Sequence, residues 1–103
     1  MSTNVLVLGF DARPAEHFAR LRASGYYVEM CVIDTGATAE EVTRLQLDSR
    51  TFDCVLFGAE LRTPDHLRLF EKLVNLVHAR APLAKLCFDV DGSDCVETIE
   101  RWA

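Results

Sequence analysis

The sequence predicts an α/β protein: a three-layer α/β/α sandwich around a four-stranded parallel sheet of order 2-1-3-4. Three observations carry this. Cys54-Val55-Leu56-Phe57 is apolar without polar alternation, as in a parallel strand covered on both faces. Val5-Leu6-Val7-Leu8 has the same character. Short apolar runs then alternate with segments of helical period, which implies a parallel sheet with helices on both faces and right-handed crossovers. The 103 residues are read as a single domain.

The elements follow in order. Val5 to Leu8 is the first strand, closed by Gly9. Pro14 opens a helix and Gly25 stops it, with Phe18 and Leu21 on its apolar face. Tyr27 to Ile33 is the second strand; Glu29 within it suits the side of a sheet. Asp34-Thr35-Gly36 turns the chain. Thr38 and Glu41 form a capping-box pattern, so a helix runs to about Ser49 with Val42 and Leu45 inward.

Cys54 to Phe57 is the third strand, and Gly58 the turn after it. Thr63 suits an N-cap and Pro64 a first helical position. Leu67, Phe70, Val74 and Val77 are spaced to face the sheet. Ala81-Pro82 ends this third helix. Leu86-Cys87-Phe88 is the core of the fourth strand. Asp91-Gly92-Ser93 leads to a last short helix with Val96, Ile99 and Trp102 as its inward candidates. The order is that of a shortened flavodoxin-like or Rossmann-like sheet, with helices one and four on one face and two and three on the other.

Composition excludes several functions. The formal net charge is −5, and Lys72 and Lys85 are the only lysines, so nucleic acid is not an expected partner. No apolar run approaches the roughly 20 residues of a membrane helix, and no signal peptide is read, so no membrane partner is expected. Cys31, Cys54, Cys87 and Cys95 contain no C-x-x-C pair. They read as reduced thiols of a cytoplasmic protein, and no metal site is expected from them.

The candidate site comes from a partial repeat. Gly9-Phe10-Asp11-Ala12-Arg13 and Gly58-Ala59-Glu60-Leu61-Arg62 both read Gly-x-acid-x-Arg, and His17 and His66 follow at matching positions. In a 2-1-3-4 sheet these turns flank the switch point at the carboxyl ends of strands one and three, where open α/β sheets bind ligands. Gly9, Asp11, Arg13, Gly58, Glu60 and Arg62 are therefore the ligand-binding candidates. A cation beside a helix N-terminus opposes the helix dipole, so each arginine needs compensation. Asp11 and Glu60 can supply it locally. A bound anion held by both arginines and nearby N–H groups is the functional alternative.

Asp11, Asp34, Glu60, Asp89 and Asp91 on the same rim could instead bind Mg²⁺, and His17 and His66 could act as acid–base groups. No catalytic residue or cofactor is assigned. A phospho-receiver would need an acidic pair after strand one, an aspartate after strand three and a lysine on a later strand. Asp11 has no adjacent acid, so a degenerate, contact-only signalling module is what remains of that reading.

Phe52-Asp53-Cys54-Val55, Gly58-Ala59-x-x-Arg62, Leu69-Phe70-Glu71-Lys72, Asn75-x-Val77-His78 and Ala81-Pro82 resemble a family of short uncharacterised bacterial proteins. Asp34-Thr35-Gly36-x-Thr38-Ala39 and Arg101-Trp102 extend the likeness over most of the chain. Where the family reads Gly-Ala-Gly-Val-Arg, Glu60 replaces the middle glycine. Where it reads Phe-Asn-Thr-Asn-Pro, this chain has Phe88-Asp89-Val90-Asp91-Gly92. The resemblance implies a small cytosolic domain without an assigned activity. The expected protein is a non-enzymatic domain that binds an anionic small molecule or a protein partner at this rim. Its two open sheet edges predict a homo-oligomer, a homodimer in the simplest case.

Overall fold

A computed structural model describes residues 3–10, 15–34, 38–91 and 93–102. Asp11, Arg13, Pro14, Thr35, Gly36 and Gly92 lie outside the described residues, as does the side chain of His17. The strands are β1 (Asn4–Gly9), β2 (Tyr27–Val32), β3 (Cys54–Phe57) and β4 (Lys85–Phe88). The helices are α1 (Ala15–Ala23), α2 (Ala39–Ser49), α3 (Leu67–Arg80) and α4 (Cys95–Trp102). The sheet is four-stranded and parallel throughout, in the order β2-β1-β3-β4. The fold class read from the sequence is the one observed.

The apolar runs fill the centre. Val5 to Leu8 and Cys54 to Phe57 are buried along their whole length, as strands covered on both faces must be. Alternation then splits their side chains into two cores. Leu6, Leu8, Val55 and Phe57 pack with Ala39 and Leu47 of α2 and Leu73 and Val77 of α3. Val5, Val7, Cys54 and Leu56 pack with Leu21 of α1 and Val96 and Ile99 of α4. The helices therefore sit as expected, one and four on one face, two and three on the other. Gly25 ends α1 with φ at 95°, a left-handed turn that glycine adopts without strain.

Two helix faces differ from the sequence reading. In α2 the inward stripe is Ala39, Thr43 and Leu47, while Val42 and Leu45 face outward, 38% and 56% exposed. A hydroxyl sits in that stripe because Thr43 Oγ1 donates to the Ala39 carbonyl at 2.8 Å, so the buried polar group keeps a partner. In α3 Leu67 is outward, and Leu73 and Val77 are the fully buried positions. Trp102 is half exposed at the end of α4.

The helix starts also differ. Thr38 precedes α2 with helical backbone angles and no side-chain cap; its hydroxyl donates to Asp34 Oδ1 at 3.4 Å. Thr63 and Pro64 open a single 3₁₀ turn, Pro64–His66, and α3 proper begins only at Leu67. Asp91 and Asp94 both bind the chain entering α4: Asp91 Oδ1 accepts the Ser93 N–H at 2.9 Å and the Ser93 hydroxyl at 2.6 Å, and the Asp94 carboxylate accepts the Val90 N–H at 2.9 Å and the Asp91 N–H at 3.3 Å.

All four cysteines are free and buried. Burial pushes the Cys31 and Cys95 thiols up, and hydrogen bonding to Cys54 together with burial pushes Cys87 up. They act as small apolar residues. Among the described residues no helix is long and apolar enough to cross a membrane.

The observed α2 stripe gives a direct test. Leu47→Ala should lower unfolding free energy by about 2–5 kcal/mol, while Leu45→Ser should stay within about 0.5 kcal/mol. Urea denaturation of the two variants measures both.

Candidate functional site

The rim at the carboxyl ends of the strands is built from the turns after β1, β3 and β4. Gly9 ends β1, and its carbonyl accepts the Ile33 N–H at 2.9 Å. Gly58 follows β3, and its N–H donates to the Leu8 carbonyl at 2.9 Å. Both glycines thus continue the sheet before the chain departs. The Gly58 N–H is consumed there and is not a donor for a ligand.

After Gly58 the chain makes a 3₁₀ turn, Ala59–Arg62, pinned by buried Leu61. A second 3₁₀ turn carries His66 back over the end of β1. The His66 ring lies against Phe10, with centroids 4.4 Å apart. The segments that carry the partial repeat therefore meet, through Phe10 and His66.

His66 is held from below. Thr63 Oγ1 donates to the Glu60 carbonyl at 3.2 Å, and His66 Nδ1 is 3.2 Å from both that hydroxyl and that carbonyl. A proton on Nδ1 satisfies this arrangement and leaves Nε2 as an acceptor.

Arg62 turns to the other side, toward β4. Its Nη2 donates to the Asp89 backbone carbonyl and lies 3.4 Å from Asp89 Oδ1. Asp89 is buried, and Arg62 is about one-quarter exposed. The guanidinium carbon sits 5.9 Å above the Phe88 ring, which stacks on Phe57 at 5.5 Å, with Phe70 edge-on to both. Arg62 Nε is buried and has no hydrogen-bond partner among the described residues. The arginine is thus locked across the β3–β4 step by a charge and an aromatic floor.

Of the six predicted ligand residues, Gly9, Gly58, Glu60 and Arg62 lie on this rim, and Asp11 and Arg13 lie outside the described residues. Sequence reasoning missed the Arg62–Asp89 pair, which joins positions 27 residues apart. It also passed over Phe10 and Phe88, whose only signal was an aromatic residue at the end of a predicted strand. Among the described residues no group of three His, Cys, Asp or Glu side chains could hold a metal ion.

A cleft of about 200 Å³ lies at the opposite end of the sheet, lined among others by Leu47, Phe52, Leu83, Arg50 and Arg80. Its arginines have acidic partners: Arg50 Nε is 2.6 Å from Glu29, and Arg80 is 3.8 Å from Asp48. Both also stand at helix C-termini, where cations are favourable.

No protein-family model matches the chain, and no curated protein matches it.

Two measurements probe the rim. Replacing Arg62 with Met removes a charged hydrogen bond to a buried carboxylate and should cost about 2–3 kcal/mol by chemical denaturation. Asp94 gives a pH signature. Burial raises its carboxyl, but the N–H groups of Val90, Asp91 and its own residue, with the Thr98 hydroxyl, outweigh this and hold it below 3.8. A lowered folded-state value contributes stability that is complete above the unfolded value and is lost as pH falls through the folded one. Asp94→Asn should therefore flatten the fall in urea midpoint below about pH 4. An unchanged acid limb in that variant would remove Asp94 from the account.

Proposed function

We propose that this domain is a non-enzymatic binding module that takes a small anion at the carboxyl-end rim, between the turns after β1 and β3. The observation that supports the reading is the Phe10–His66 contact, which brings the end of β1 against the turn after β3. Arg62 flanks that surface in a fixed orientation. A held guanidinium loses less freedom on binding than a mobile one; with Nη2 on Asp89 and Nε buried, Nη1 is the donor proposed for a carboxylate or phosphate oxygen. Gly9 and Gly58 let the backbone approach, and Glu60, with Asp11 and Arg13 from the first turn, completes the proposed residue set.

A rival reading has one observation in its favour. His66, with Nδ1 anchored and Nε2 left as an acceptor, is placed as a general base would be. That reading makes the rim a His-dependent enzyme site.

The test is calorimetric titration and thermal shift with inorganic phosphate, a dicarboxylate and a nucleotide. A ligand at 100 times its dissociation constant adds about 2.7 kcal/mol of stability. Arg62→Lys keeps a cation beside Asp89 but loses the separate Nη1 donor, so it isolates binding from folding. It should weaken the anion by roughly tenfold or more. Equal affinity in wild type and Arg62→Lys would reject Arg62 as a ligand residue. Turnover of a bound compound, abolished in His66→Gln, would establish the enzyme instead.

A further inference from the structure

The two outer edges of the sheet are built differently. The β2 edge is guarded by charge. Glu29 accepts the Tyr27 hydroxyl at 2.8 Å and Arg50 Nε at 2.6 Å, while Gln46 reaches its other oxygen. Arg50 also covers the Tyr27 ring at 4.4 Å. Charged residues packed onto an edge strand discourage a further strand from adding to it. At the β4 edge the charge pair is Arg62–Asp89, past the carboxyl end of the strand, with the guanidinium carbon 5.9 Å from the Phe88 ring on the side toward β3. The one charged residue of β4 itself is Lys85, at its start. Around it stand Leu83, 92% exposed, Val90, 79%, and Phe88, 40%.

The backbone of β4 is poised to pair. The Lys85 N–H donates to the Asp53 carbonyl at 2.9 Å, toward β3. Backbone groups alternate in direction along a strand, so those of Leu86 and Phe88 point away from the sheet. The geometry points to a homodimer in which β4 pairs antiparallel with β4 of a second copy, about a twofold axis through Cys87. Leu86 then stands opposite Phe88 of the second copy, and Phe88 opposite its Leu86. Opposed residues whose backbone groups face each other exchange both N–H···O=C bonds, and their side chains share one face.

The occupant follows from self-complementarity. A twofold contact needs a surface that matches itself. Here each pair sets an aliphatic against an aromatic side chain. Lys85, at the amino end of one strand, approaches the acidic carboxyl end of the other, where Asp91 is exposed. Leu83 and Val90 flank the strand and extend the contact beyond four paired residues. The surface runs along the outer edge of the sheet and does not depend on the rim binding an anion.

Sedimentation equilibrium across a wide concentration range, with amide hydrogen exchange, tests it. A reversible dimer is expected, with the Leu86 and Phe88 amides protected in the dimer and exchanging freely on dilution. Lys85 and Cys87 amides, bonded to β3, should stay protected in both states. Leu86→Pro removes an outward N–H, at an edge position that tolerates proline, and should give a monomer with unchanged circular dichroism. Val32→Lys, at the other edge, should leave the dimer intact. A monomer at every concentration would overturn the proposal, as would a dimer whose Leu86 and Phe88 amides exchange freely. Should Leu86→Pro fail to fold, the wild-type exchange pattern decides alone.

Discussion

The pairing of β1 with β3 is the constraint on which the rest depends. Val5, Leu6, Val7 and Leu8 lie beside Cys54, Val55, Leu56 and Phe57 in parallel register. A slip of one residue would exchange the two cores, sending the α2–α3 side chains to the α1–α4 face. The register is fixed at both ends. At the amino end the Asn4 N–H donates to Asp53 Oδ2 at 2.8 Å, and Asn4 Nδ2 donates to the Thr51 carbonyl at 2.9 Å. At the carboxyl end the Gly58 N–H donates to the Leu8 carbonyl at 2.9 Å. Because these strands are neighbours, the turns that leave them are neighbours too. The Phe10–His66 contact is a consequence of strand order.

Strands and their order were legible in the sequence because short apolar runs bounded by turn residues alternate with segments of helical period, and right-handed crossovers then limit the order. Cys54–Phe57 matches the apolar run residue for residue. Helix faces were less legible. Val42 and Leu45 look inward by hydrophobicity, yet α2 turns Thr43 to the sheet, because a threonine can satisfy its own hydroxyl on the preceding turn. Thr63-Pro64 marks a helical start correctly but not its type, since the signals that open a 3₁₀ turn and an α-helix are the same. The placement of Gly9, Gly58, Glu60 and Arg62 at the carboxyl ends of the strands was legible, and their partnerships were not. Nothing near Arg62 in sequence announces Asp89, because only the β3–β4 pairing brings them together.

Charge is segregated along the strand direction, and helix dipoles explain it. At the carboxyl-end rim stand the helix starts, with Glu40 and Glu41 in the first turn of α2 and Asp94 bound to the chain entering α4. At the opposite end stand the last turns, with Arg20 and Arg22 in α1, Arg80 in α3 and Arg101 in α4. Each group complements the partial charge of its helix end. The acidic rim therefore needs no bound cation to account for it: several of its carboxylates answer helix N-termini, and Asp89 answers Arg62.

Like Arg68 in the first turn of α3, Arg62 departs from this arrangement as a cation among helix starts. Its position is tolerable because the Asp89 carboxylate is buried beside it and the Phe88 ring lies beneath it. Removing the arginine would leave a buried carboxylate short of a partner, so the pair is strongly held whether or not a ligand ever arrives. Stability and binding thus draw on one side chain, and loss of function in a truncated variant could not separate them. Charge and shape can. Asp89 needs a positive charge, which lysine supplies, whereas a carboxylate or phosphate needs a further donor beyond the one Asp89 holds, set at a fixed angle on the same planar group, which lysine lacks. The distinction between a structural arginine and a binding one therefore lies in the geometry of its donors and not in the sign of its charge.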